Sequence, residues 1–158
     1  TGRRRRRPAH PAVGSAQPGG DVAPAAHQGL PALVLDGLAQ YLHRCGEAVA
    51  AADILELAYL PPFCRLLSVD MVTVGTGAVT ATVGLMSGEV GSTDPARTSG
   101  NEIFNAVTPT TEQRAALAAL VAVEPAGVAR SIGVRFSGNV AANAATKLHF
   151  RIRYATGR

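Results

Sequence analysis

The C-terminal segment Lys147-Leu-His-Phe-Arg-Ile-Arg-Tyr154 alternates strictly, with Leu148, Phe150, Ile152 and Tyr154 in one phase and Lys147, His149, Arg151 and Arg153 in the other. A helix repeats every 3.6 residues and cannot gather such a pattern onto one side, whereas a strand turns successive side chains to opposite faces. The segment therefore predicts a strand with one core face and one basic face. The same period recurs upstream. Ile132, Val134 and Phe136 alternate with Ser131, Gly133 and Arg135, and Ser137-Gly138-Asn139 ends that run. Leu55, Leu57 and Tyr59 are predicted to share a face, with Pro61-Pro62 as a hard stop, because proline cannot donate to a ladder. Leu67, Val69 and Met71 alternate with Ser68, Asp70 and Val72, and the turn Gly75-Thr76-Gly77 leads into Val79–Leu85, a pattern that reads as a β-hairpin.

Other segments are less determined. Ile103 to Val107 reads as a further short strand, and Ser87 to Ser99, rich in Gly, Ser, Thr, Asp and Pro, as a long surface loop. Leu33, Leu35, Leu38 and Leu42 suit either a strand or two helical turns. Residues 111 to 123 suit either a helix capped by Thr110 or Thr111 or a strand over Ala118 to Val123. Short strands separated by Gly and Pro turns, without repeated strand-helix alternation, predict an all-β fold: an antiparallel, jelly-roll-like β-sandwich. With aromatic residues at 4% and no Trp, the core has to be filled by Val, Leu, Ile and Ala.

The first thirty-one residues follow different rules. Arg3, Arg4, Arg5, Arg6 and Arg7 stand together, followed by Pro8, Pro11, Pro18, Pro24 and Pro31 among Gly, Ala and Ser. Such a stretch buries too little apolar surface to offset its ordering entropy, so residues 1–31 are expected to be an arm that is extended, disordered or ordered only by a partner. Residues 32–158 form the predicted sandwich domain. The formal charge is +4, so without the five arginines the chain is nearly neutral. Basic character belongs to the arm, and nucleic-acid contact is expected through the arm only. Adjacent guanidinium groups repel one another unless an anionic surface is present, which makes the arm a candidate contact for a polyanion or an acidic protein. On the last strand, Lys147, Arg151 and Arg153 are a second candidate interaction face. It lacks the interleaved aromatics that single strands stack upon, which favours a solvated face or a protein interface.

Groupings that carry chemistry are not found. His10 and His27 lie in the arm, and His43 with Cys45 lacks the further ligands a zinc site needs, so no metal is expected. There is no G-x-S-x-G elbow, no Cys/His signature and no phosphate-cradling Gly-Lys-Ser/Thr loop. Asp53, Glu56 and Asp70 fall in the polar phase of strands and read as solvated charge. The chain is accordingly expected to be no enzyme and to take no cofactor. Cys45 and Cys64 are too few for a disulfide framework and read as free thiols, a Cys45–Cys64 pair being the alternative. No apolar run is long enough to span a membrane, and no secretory signal follows the Arg run, so synthesis in the cytosol without membrane association is expected.

From about Val49 to Tyr154 the chain resembles the head-decoration, or cement, proteins of tailed bacteriophages. The resemblance lies in the order Ala52-Asp-Ile-Leu-Glu-Leu57 running into Leu60-Pro-Pro62, then Arg65-Leu-Leu-Ser-Val-Asp70 and Thr80-Ala-Thr-Val-Gly84. Arg130-Ser-Ile-Gly-Val-Arg-Phe-Ser-Gly138 and the terminal strand complete it. It implies a virion protein on the capsid surface that bridges major capsid protein subunits and stabilises the head mechanically, as a homo-oligomer such as a trimer. The proline-rich arm departs from the compact form of that family and suits a strap, since about 30 extended residues reach up to roughly 100 Å. Two alternatives remain open on the residues alone: a jelly-roll coat protein whose Arg-rich arm binds packaged nucleic acid, and a carbohydrate- or receptor-binding β-sandwich.

Overall fold

The computed structural model describes residues 33–35, 38–44 and 48–156. Nine strands run in chain order: β1 (Leu33–Leu35), β2 (Leu38–Arg44), β3 (Leu55–Leu60), β4 (Cys64–Val74), β5 (Ala81–Leu85), β6 (Phe104–Val107), β7 (Gln113–Arg114), β8 (Arg130–Phe136) and β9 (Lys147–Thr156). One short helix, α1 (Leu117–Ala122), lies between β7 and β8. The strands form two antiparallel sheets, ordered β1-β2-β9-β4-β7 and β3-β8-β5-β6. From β2 to β5 successive strands alternate between the two sheets, and β6 to β9 do the same, so the eight strands β2 to β9 have the connectivity of a jelly roll. The segment around Leu33 to Leu42, open between strand and helix on sequence, is two paired strands.

The core lies between the sheets. Leu148, Phe150, Ile152 and Tyr154 of β9 and Val69 and Met71 of β4 face Leu55, Leu57 and Leu60 of β3, Ala81 and Val83 of β5, and Ile132, Val134 and Phe136 of β8. The two C-terminal strands bury the predicted phase. Cys64 is a buried thiol in this core, and burial pushes its pKa up, which keeps it protonated and unreactive. Cys45 and the arm, with Arg3 to Arg7, lie outside the described residues.

Three expectations require correction. The strands around Gly75-Thr76-Gly77 are not a hairpin: β4 belongs to one sheet and β5 to the other, so the turn is a crossover. Leu67 does not share a face with Val69 and Met71. The β4–β9 register shifts between Leu66 and Ser68, which makes Leu67 the extra residue of a bulge and leaves it 58% exposed. A bulge resets the alternation, so Cys64 and Leu66 point inward before it and Val69, Met71 and Thr73 after it. Likewise, Tyr59 is exposed: a shift between Glu56 and Ala58 in β3 turns Ala58 and Leu60 inward in its place. The ambiguous stretch 111–123 divides into β7 and α1, and α1 begins after Ala116 without a side-chain cap, so neither Thr110 nor Thr111 caps it.

This register makes a prediction. Phe150→Ala is expected to cost about 3–5 kcal/mol in urea denaturation, whereas Leu67→Ala stays within about 0.5 kcal/mol. Comparable losses at both positions would contradict the bulged register.

Candidate functional site

Two charged clusters occupy the two outer faces of the sandwich. On the five-stranded sheet, the ladders place Asp70 of β4 directly opposite Arg151 of β9 on one side and Arg114 of β7 on the other. Residues opposed in this way point to the same side of the sheet, so the three side chains meet. Arg151 donates from Nε and Nη2 to Oδ2 of Asp70 at 3.0 and 2.8 Å, and Arg114 donates from Nε to Oδ1 at 2.9 Å. Burial acts to raise the pKa of Asp70, but the hydrogen bonds and charges of Arg151 and Arg114 outweigh it and hold the carboxyl below its ordinary range. Asp70 is thus no solvated charge, as its strand phase suggested; its side chain is only 9% exposed.

Around this pair the face is open. Lys147, His149 and Arg153 are exposed along β9, and Arg151 is half-buried. The predicted basic strand face exists, but Arg151 is partly neutralised by Asp70, which leaves Lys147 and Arg153 as its cations without an ion pair among the described residues. Beside them a groove of about 370 Å³ is lined by Leu67, Ser68, Asp70, Arg114, Ala115, Leu117, Leu120, Arg151 and Arg153. The Ser68 hydroxyl there is buried and has no hydrogen-bond partner among the described residues. The bulge creates this groove's floor, since it turns Leu67 and Ser68 to the outer side together.

The opposite face is covered. Arg97, buried under the Ser87–Ser99 loop, donates from Nη1 to Oε2 of Glu56 at 2.6 Å and to the Ser92 carbonyl at 2.9 Å. Its Nε donates to the Ser87 carbonyl at 2.8 Å and its Nη2 to the Ser131 hydroxyl at 2.9 Å. Glu56 also accepts from the Gly91 N–H. The loop is therefore latched onto β3 and β8 from below, and Glu56, like Asp70, is paired rather than simply solvated. Small residues allow the approach: a Cβ on Gly133 would lie 2.6 Å from Cγ of Met86, and one on Gly84 would collide with the Gly100 backbone. Asp53 accepts from the Ala50 N–H in a turn ahead of β3.

Neither the Asp70 pair nor the Arg97 latch was legible in sequence, because both depend on which strands become neighbours. The separate hint was Asp70 itself, the one acid in β4, in a protein with a basic strand to place. Among the described residues no three His, Cys, Asp or Glu side chains gather as a metal site. The arrangement offers paired charges and a groove that sets guanidinium groups beside exposed leucines, chemistry suited to contact between surfaces.

A small jelly roll with polar and charged outer faces defines the class, a jelly-roll β-sandwich. No protein-family model matches the chain, and no curated protein matches it. Solved structures do. A chain from the capsid of Ralstonia phage GP4 is 32% identical, with a TM-score of 0.68, over 77% of this chain and 84% of that one. A chain from the capsid asymmetric unit of cyanophage Pam1 shares the fold, at 18% identity and a TM-score of 0.54, over 89% of this chain and 100% of that one. The chain belongs to the phage capsid proteins.

The Asp70 pair has a pH signature. Because its folded-state carboxyl titrates below the unfolded value of 3.8, its contribution is complete above that pH and is lost as pH falls through the folded value. Asp70→Asn is expected to cost about 1–3 kcal/mol at pH 7 by urea titration, with the gap from wild type narrowing in more acid solution. A gap that does not change with pH would show that the carboxylate charge is not what matters.

Proposed function

We propose that the chain is a decoration, or cement, protein that binds the outside of the phage head and bridges neighbouring major capsid protein subunits. The observation that carries this reading is the similarity to a phage capsid chain over most of both lengths. Charge supports a role away from the genome. Residues 48–156 contain eight acidic and eight basic side chains, so the sandwich has no net attraction for nucleic acid. Its mechanism is mechanical: rigid faces hold adjacent subunits together, and no bond is made or broken. The arm, with Arg3, Arg4, Arg5, Arg6 and Arg7, serves as a strap across acidic surface of the adjacent capsomer, and the strand face of Lys147, Arg151 and Arg153 contributes a protein interface. Acting as a homo-oligomer such as a trimer, the protein resists outward pressure from packaged DNA.

The test is binding to heads that lack it. Purified protein is expected to co-sediment saturably with undecorated heads and to raise the temperature at which they release DNA, and removal of residues 1–31 is expected to weaken the binding. Failure to bind heads, combined with nucleic-acid-dependent assembly of the purified chain into closed particles, would make it the coat protein instead.

A further inference from the structure

The two outer faces of the sandwich carry complementary chemistry. On the five-stranded sheet, the groove sets three guanidinium groups, Arg114, Arg151 and Arg153, against one carboxylate, Asp70, beside exposed Leu67 and Leu117. Leu117 is 74% exposed, an unusual position for so large an apolar side chain on a six-residue helix. An occupant with a carboxylate next to an apolar side chain would satisfy both the guanidinium groups and the exposed leucines.

The Ser87–Ser99 loop on the other sheet presents that combination twice, as Glu89-Val90 and Asp94-Pro95. Glu89 and Asp94 are exposed, and neither pairs with a cation among the described residues. The loop is also pre-shaped. Arg97 ties both of its limbs to Glu56 and Ser131, and Asp94 holds its own turn by accepting from the Ala96 N–H at 2.9 Å. A loop already held in shape forfeits little entropy on docking.

We propose that the groove is the docking site for a second copy of this chain, which inserts its 88–95 loop so that Glu89 and Asp94 meet Arg153 and its neighbouring guanidinium groups. The groove and the loop lie on opposite faces of one sandwich, so a copy cannot satisfy both through a two-fold axis. The contact is head-to-tail, and it closes into a ring when the rotation relating successive copies divides a full turn. This extends the capsid reading, since a ring of sandwiches presents several arms to the shell at once, while association itself is a property of the purified chain.

Sedimentation velocity on the full chain tests it, at low and high salt, with thermal melts to confirm that each variant folds. Wild type is expected to form a discrete small oligomer that weakens with salt. Arg153→Glu alone, and Glu89→Lys with Asp94→Lys, are each expected to raise the dissociation constant by about tenfold or more. The variant carrying all three changes restores opposite charges across the contact and is expected to recover most of the association. If Arg153→Glu fails to fold, Arg153→Gln takes its place with a smaller expected loss. A monomeric wild type, single-face variants that associate normally, or a combined variant no better than either parent would overturn the proposal. A monomer that binds undecorated heads in an Arg153-dependent way would give the groove to another capsid protein, overturning the second-copy assignment while leaving the decoration role intact.

Discussion

The antiparallel pairing of β9 with β4 is the constraint on which the rest of the structure depends. Its ladder runs from Cys64 opposite Thr156 to Val74 opposite Lys147, and β9 is hydrogen-bonded to β2 on its other side. A slip of one residue would carry Leu148, Phe150 and Ile152 to solvent and the basic side chains into the core, so the alternation of β9 admits one register. That register also aligns Asp70 with Arg151, and the single bulge at Leu67 lets β4 stay in phase with β9 along its whole length while turning Leu67 and Ser68 outward. Core, charge pair and groove are thus consequences of one ladder.

The outer faces show how a neutral sandwich becomes a specific one. Asp70 converts a strand of like charges into a face with a paired centre and two cations without an ion pair among the described residues, Lys147 and Arg153, toward its ends. The exposed partner, Arg114, is 69% accessible on its side chain, so solvent screens much of its attraction, and the half-buried Arg151 is the stronger contact. On the other sheet the charge is inside: Arg97 and Glu56 fasten a long loop whose exposed residues remain available for a partner. A capsid component needs such a division, with rigid inner support and selective outer contacts, and it needs no catalytic group.

Much of the fold could be read from residues because period two is a local signal. Strands β8 and β9 follow from it directly, Pro61-Pro62 marks the end of β3 because proline cannot donate to a ladder, and the all-β sandwich follows from the number and spacing of the strands. What could not be read is non-local. The Gly75–Gly77 turn has the composition of a hairpin, and only the positions of β4 and β5 in different sheets reveal a crossover. Leu67 and Tyr59 have the right residue types for the core, and bulges set by the partner strand exclude them. Asp70 and Glu56 look like solvated charges until Arg114, Arg151 and Arg97 arrive from distant parts of the chain. The candidate site is therefore only half legible: the basic strand face is written in the alternation of β9, but its neutralised centre and its groove are not.

The most direct test of a capsid-bridging role is a density map of the assembled particle in which the sandwich can be located. The account predicts the jelly roll on the outer surface, spanning at least two subunits of the shell, with no contact to the genome. A sandwich lining the inside of the shell against packaged nucleic acid would contradict it.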